Sequence, residues 1–463
     1  MAAPADLNLK TGIQIACWYA AARVAGALRL KWRRSPTCGP QPGSPACASR
    51  PTETGISVII PSRNGKPLLE TQLPGIAREL ESFAAEIIVA DNGSDDGTAE
   101  WLRAVWPQVR IEASYKPLSF AHAVNRGIAR ARYSHVCLLN NDMLLEPGFF
   151  GALVRAFEQV PDLFCATAQI RFPEGVRREE TGKTVMAQSH PEDFPIRCDE
   201  PLPGEDLSYV LYGSGGCSLY DAARLRALGG VDQAYEPAYV EDLDLGYRAW
   251  QRGWPSVYVA GAVVEHRHRA TTSRYYTHDQ LDRILEVNYL KFLVRAVADG
   301  KLFRKLWRQA TRRLRARVQP TLLRTAARIA LGGGSPGVPE YSEELILALT
   351  SGAVAVFPGQ LVSDRPRALI VSPYLAAPLS AGFDPVLVAF TKRLATPPPE
   401  ILAASAEVVL VLEESAPAAF RAALHQTVRK WRPAVAHLEA AQMAQYAADC
   451  APARAILVDP ATT

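Results

Sequence analysis

Apolar positions along this chain fall into two rhythms. Short unbroken apolar runs, bounded by turn residues, alternate with longer stretches in which apolar residues recur every three or four positions. The runs ISVII at 56–60, EIIVA at 86–90 and HVCLLN at 135–140 read as buried strands. The stretches 68–83, from Thr98 onward, and 119–131 read as helices, with Thr98 placed to cap the second. A short strand at 110–113 falls between them. Strands alternating with helices predict a right-handed, mostly parallel α/β sheet.

Past residue 140 the pattern is less regular. A strand is expected at 166–172, and the Pro-rich, charged stretch 174–204 reads as a loop over a site. One strand at 209–220 is expected to kink at Gly215-Gly216. A helix at 243–251 closes at Gly253, and a strand at 257–264 leads to His266. Residues 9–34 read as a helix, followed by the linker SPTCGPQPGSPACASRP. In the stretch 301–318, Leu302, Phe303, Leu306, Trp307, Ala310 and Leu314 share one helical face, and basic residues cover the rest. That helix either packs on its own domain or lies on an anionic membrane surface. After LGGGSPG, further strands are expected in ALIVS, VLVAFT, EVVLVLE and AILVD. Four segments follow: a basic N-terminal helix and linker (1–52), an α/β domain (53–298), a basic helical segment (299–335) and a second α/β segment (336–463).

Composition narrows the function classes. The chain has 463 residues, 48% of them hydrophobic and 21% charged, which suits two or three globular domains. A net charge of +4 is too small to indicate nucleic acid, and no nucleic-acid partner is expected. The charge is uneven, however. Residues 7–52 hold seven Lys or Arg and no acid, and residues 301–328 hold ten and no acid. No run of about twenty apolar residues exists, so no spanning helix is expected, and no signal peptide is read. The eight cysteines form no C-x-x-C pair and several sit in apolar runs, which favours free thiols in a reducing compartment, the cytoplasm.

The candidate chemistry lies in three acidic stations: Asp91 in IIVADNGSDDGT, Asp142 in LLNNDMLLEPG, and Glu241-Asp242 in YVEDLDLGYRAWQRGW. The first two follow predicted strands. A carboxylate at the carboxyl end of a parallel strand points into the crevice where open α/β sheets bind ligands. Several in one crevice suit a divalent metal holding phosphates, with a base beside it.

These stations, together with ISVIIPSRNG, AHAVNRGIARAR and YGSGGCSLYDAARLRALGGVDQAY, occur in the order of family 2 glycosyltransferases. The chain resembles the rhamnosyltransferase-like branch of that family over roughly residues 55 to 270. The resemblance implies a GT-A fold and transfer of a sugar from a nucleoside diphosphate donor, a dTDP- or UDP-sugar, to a glycan or lipid-linked acceptor. A bacterial cell-surface polysaccharide pathway, and an enzyme on the inner face of the plasma membrane, would be the natural setting. By the same resemblance Pro61, Arg63, Asn64, Asp91, Asn125, Asn140, Asn141, Gly215 and Gly216 border the donor. Asp142 coordinates Mg²⁺ or Mn²⁺, with His266, or alternatively His268, as a second ligand. Asn140 stands where the family's first metal-motif aspartate is common. Asp242 is the expected base of an inverting reaction, Glu241 an acceptor contact, and Asp244 either complements the helix dipole or pairs with Arg248. Trp250, Trp254 and Tyr239 stack on sugars or pack in the core. A nucleotidyltransferase and a non-catalytic scaffold are the rival readings. The first lacks its Gly-rich basic loop after the opening strand, and the second leaves the acidic stations unexplained. From Ala368 the sequence resembles the amino-terminal half of a family 4 glycosyltransferase of GT-B fold, short of the usual helix after SAG and of the donor-binding half. This tail is expected to be an inactive copy, serving as a docking module.

Overall fold

The computed structural model describes residues 9–32, 53–173, 178–179, 183–186, 190–267, 275–332, 336–350, 352–361, 363–376, 382–413 and 416–458. The expected linker at 35–51 and His268 lie outside them.

Strand β1 (Glu53–Ser62) is the axis of the first sheet, paired in parallel with β2 (Ala85–Asp91) and β4 (Tyr133–Leu139). The two-residue β3 (Arg110–Ile111) extends this half beyond β2. Helices α2 (Lys66–Glu79), α3 (Thr98–Val105) and α4 (Phe120–Arg130) make the crossovers. Val58, Ile59, Ile60, Ile88 and Val89 are fully buried, so both faces of these strands are covered. That is why unbroken runs, not alternation, mark them.

On the other side of β4 lies the antiparallel β11 (Cys217–Asp221), then β6 (Cys165–Arg171), β12 (Ser256–His266) and β10 (Tyr209–Val210). A short β5 (Met143–Leu145) pairs with the end of β12, and α5 (Phe149–Gln159) packs against that strand. The expected single strand at 209–220 is thus two strands at different places in the sheet. The link between them crosses β6 closely: a Cβ on Gly213 would lie 2.4 Å from Cys165 Sγ. Within the stretch expected as a loop, β7 (Arg178–Glu179) pairs with β6, and β8 (Lys183–Met186) forms a hairpin with β9 (Ile196–Asp199). Thr98 is the first residue of α3 and not its cap; Asp96 accepts from its N–H at 3.1 Å and from its hydroxyl.

After α6 (Ala222–Ala227) and α7 (Glu241–Gln251) come α8 (His278–Arg295), α9 (Gly300–Ala316) and α10 (Pro320–Leu331). The N-terminal helix α1 (Leu9–Trp32) packs on α9 and α10. The apolar face of α9 is therefore not a membrane face. Phe303, Leu306, Trp307, Ala310 and Leu314 are buried, and Trp307 Nε1 donates to the Ala22 carbonyl at 3.0 Å.

The second sheet runs in the order β13 (Val354–Pro358), β16 (Glu407–Leu412), β15 (Asp384–Thr391), β14 (Arg367–Ser372), β17 (Val435–Glu439), β18 (Arg454–Val458). All but β13 are parallel, and the order reverses at β14, the doubly wound pattern. The described residues between β14 and β15 contain no helix, in keeping with their short spacing. Helices α12 (Pro399–Ala403) and α13 (Ala416–Trp431) follow β15 and β16. The two sheets share one apolar core, in which Trp250 and Phe292 join Leu349 and Phe420. Helix α11 (Glu343–Thr350) is the joint: the Glu343 carboxylate accepts from Gln251 Nε2 at 2.6 Å and from the N–H groups of Ala298 and Asp299 at 2.8 and 2.6 Å.

Candidate active site

The register of the first sheet sets Ser62 beside Asp91 and brings the turn after β4 to the same edge. The loop after β1 is stitched to its neighbours. Ser62 Oγ accepts from Asn141 Nδ2 at 3.0 Å. Gly65 has no room for a Cβ, which would meet those same two side chains at 2.4 and 2.3 Å. Asn64, with φ of 50°, donates its N–H to Ser94 Oγ and accepts the Asp95 N–H on its side chain, both at 2.9 Å. Pro61 pairs with Ala90 one residue before Asp91. Asp91 is buried and accepts from the Ser94 N–H at 3.3 Å. The Arg63 guanidinium lies 4.0 Å over the Tyr275 ring, and its buried Nε has no hydrogen-bond partner among the described residues.

The turn at 140–142 is fixed from below. Gln72, buried in α2, donates to the carbonyls of Asn140 and Met143 at 2.6 and 2.8 Å. The Asn140 N–H donates to the Gly216 carbonyl at 2.8 Å. Pairing of His266 with Met143 then sets the imidazole beside Asp142, with Nε2 3.4 Å from Oδ1. That Oδ1 is buried and accepts no hydrogen bond among the described residues. Among the described residues no group of three or more His, Cys, Asp or Glu gathers to form a protein cage for a metal. One carboxylate oxygen and one imidazole nitrogen still suit Mg²⁺ or Mn²⁺, which keep waters and substrate phosphates as their other ligands. The residues present therefore fit such an ion.

Glu241 and Asp242 open α7, where the chain enters under strain. Tyr239 and Val240 have φ of 71° and 78°, a region that β-branched residues rarely adopt. Each costs about 1–3 kcal/mol. A buried side chain of α8 holds this entry: Asn288 Nδ2 donates to the carbonyls of Tyr235, Ala238 and Tyr239 at 2.6, 2.9 and 3.1 Å. The Asp242 carboxylate accepts from the N–H groups of Gly215 and Leu243 at 3.4 and 2.8 Å. Burial nonetheless pushes its pKa above the ordinary aspartate value, against the pull of those backbone donors. Asp244 is spent on structure, accepting from Tyr235 Oη at 2.9 Å and Arg248 Nε at 2.6 Å.

Gly215 and Gly216 join the two halves. Gly215 touches Asp242, while a Cβ on Gly216 would lie 2.4 Å from Asn140 Nδ2. A continuous path of contacts runs from Asp242 through the glycines to Asn140, Asp142 and His266. Asn125 is elsewhere engaged: its amide brackets Val231, donating to the carbonyl and accepting the N–H. Trp250 is a core residue, fully buried with Nε1 on the Val210 carbonyl, and Trp254 carries Arg224 and Arg252 over its ring. Sequence reasoning missed Gln72, Tyr275 and Asn288. Gln72 and Asn288 had a readable signal, a polar residue within the apolar period of a helix.

Residues 52–282 match the sequence profile described as glycosyltransferase like family 2. This part of the chain is a glycosyltransferase of family 2. Its mixed sheet is the family's GT-A architecture, and the protein is an enzyme. The N-acetylglucosaminyl-diphospho-decaprenol L-rhamnosyltransferase of Mycobacterium tuberculosis is 28% identical over 243 residues, 47% of this chain and 78% of that protein. Validoxylamine A glucosyltransferase of Streptomyces hygroscopicus subsp. jinggangensis is 25% identical over 225 residues, 43% of this chain and 52% of that protein. Among solved structures, a mannosyltransferase from Pyrobaculum calidifontis in complex with GDP-Man and Mn²⁺ aligns at 17% identity and a TM-score of 0.36, covering 69% of this chain and 85% of that one.

Proposed function

We propose that this glycosyltransferase inverts the anomeric centre as it moves a sugar, with L-rhamnose from dTDP-rhamnose the first candidate, onto a lipid-linked or glycan acceptor. The observation that carries this reading is the glycine bridge between the Asp242 carboxylate and the Asp142–His266 pair. That bridge supports a reading in which the base and the leaving-group site share one crevice. Asp91, Arg63 and the Asn64 turn border the donor's nucleoside; the unsatisfied Arg63 Nε is a donor in search of an acceptor. Asp142 and His266 would hold Mg²⁺ or Mn²⁺, which supplies charge neutralisation to the departing diphosphate. Asp242 accepts the proton of the acceptor hydroxyl as its oxygen bonds to the anomeric carbon. The bond from that carbon to the diphosphate breaks on the opposite face, and the nucleoside diphosphate leaves. Glu241, buried at the same helix start, orients the acceptor.

The rhamnosyl and lipid-linked choices draw on the name of the mycobacterial relative. The buried free thiols Cys137 and Cys165 support a reducing, cytoplasmic-face location. The doubly wound C-terminal sheet supports a GT-B-like half with no transfer chemistry of its own. The test is hydrolysis and binding of a panel of dTDP- and UDP-sugars with Mn²⁺, comparing wild type with Asp142→Ala. Tight binding of one donor, with the metal dependence lost in the variant, is expected. Absence of binding to every nucleotide sugar would overturn the proposal.

A further inference from the structure

We propose that the face formed by α1 and α10 docks onto an anionic lipid surface. The inference stands apart from the transferase chemistry and rests on this layer alone. Helix α1 is apolar on both sides. Its inner side is buried on α9 and α10, through Ala22 and Ala25 among others. Its outer side presents Ile13, Cys17, Ala20, Val24, Ala27 and Leu28 at helical spacing, all exposed. Val24 is 58% and Ile13 55% exposed, and Leu331 of α10 adds 47%. A helix apolar all round belongs in an apolar environment, so the outer stripe calls for an apolar partner. Between α1 and α10 runs a groove of about 400 Å³, lined by Trp18, Val24, Leu28 and Leu331 with Arg324 and Arg328 beside them.

Charge identifies the partner. Helices α1, α9 and α10 contain four, seven and two Lys or Arg and no Asp or Glu. Arg304, Lys305, Arg308, Arg312, Arg324 and Arg328 are exposed. The guanidiniums of Arg324 and Arg315 lie over the rings of Trp18 and Tyr19, at 5.3 and 4.9 Å, which ties cations to the edge of the stripe. Aliphatic side chains flanked by aromatics and cations match the layered chemistry of a bilayer surface: acyl chains, interface and anionic headgroups. A nucleic acid would use the cations and leave Val24 and Leu28 in water. A second copy of the same face would set cations against cations. No helix among the described residues is long and apolar enough to cross a membrane, so the contact is peripheral.

The test is flotation of the purified full chain with vesicles of equal parts phosphatidylglycerol and phosphatidylcholine, against phosphatidylcholine alone. Three proteins are compared: wild type, Val24→Asp with Leu28→Asp, and Arg324→Glu with Arg328→Glu. Wild type is expected to float with the anionic vesicles only, and each double variant to partition about tenfold less or worse, given the typical energy of a cation near an anionic surface. The substituted residues are exposed, so circular dichroism and donor turnover on a water-soluble acceptor should be unchanged. That control separates failure here from failure of the transferase reading. No flotation of wild type at low salt would overturn the proposal. So would flotation that Val24→Asp with Leu28→Asp leaves intact, or displacement from vesicles by duplex DNA that binds wild type and that variant equally.

Discussion

As the proposed base, Asp242 carries two opposed demands. A base must lose its proton to work, yet burial penalises the ionised form. A carboxyl whose folded pKa is raised contributes stability that is fully present below the unfolded value, about 3.9. That contribution is lost as pH rises through the folded value. Two outcomes follow at this scale. The transfer rate should climb with pH through a value above the usual aspartate range, measured as kcat against pH. Asp242→Asn should lower kcat by about 10²–10⁴, and it should raise the melting temperature relative to wild type at pH 8 more than at pH 4. Gly216→Ala is the sharpest geometric probe. Its Cβ would overlap Asn140 Nδ2 at 2.4 Å, so the Asn140 side chain, or the turn that carries it, must give way. About a hundredfold loss of transfer is expected, since small misplacements in a site cost that much. The acidic stations were legible as single residues. Their partners were not, because Asn125 and Asp242 look alike in a sequence until one is seen to bracket Val231 and the other to meet Gly215.

At the scale of elements, fully buried strands announced themselves as apolar runs, and β1, β2, β4, β6 and β12 came out close to expectation. The split of 209–220 was hidden, because pairing partners decide it and the sequence names none. Helix α8 went unread for a related reason: its buried side includes Glu286 and Asn288, which interrupt the apolar period. Glu286 is taken up by Arg313 of α9 at 2.6 Å. Asn288 holds the left-handed entry to α7 and so positions Glu241 and Asp242 without touching them. Asn288→Leu should leave the donor KM near wild type and lower kcat, a split that mere destabilisation would not give. Its stability cost, about 1–3 kcal/mol for carbonyls left without a donor, is measurable by denaturant titration.

At the scale of the whole molecule, the C-terminal sheet is joined to the transferase by a common core and by Glu343. An inactive tail, as the sequence suggested, could still be structurally required, and this joint makes it so. Truncation at residue 335 removes one of the two acceptors of Gln251 Nε2 and the acceptor for the N–H groups of Ala298 and Asp299. It also uncovers core residues such as Trp250. The truncated chain should be insoluble or melt far below the full chain, by scanning calorimetry. Glu343→Ala alone should cost about 3 kcal/mol or more, as several buried donors lose their acceptor. The dependence of one sheet on the other was not legible in the sequence, because a single buried glutamate in α11 looks like any first-turn acid.

In the proposed mechanism Asp142 and His266 serve the leaving group while Asp242 serves the acceptor. Calorimetric titration of the preferred donor with Mn²⁺, run beside a transfer assay on wild type, Asp142→Ala and Asp242→Asn, tests it most directly. Asp142→Ala is expected to lose both donor binding and transfer, whereas Asp242→Asn is expected to bind the donor as wild type does and to transfer sugar about 10²–10⁴-fold more slowly. Donor binding lost in Asp242→Asn, or transfer by it near the wild-type rate, would overturn this division of roles.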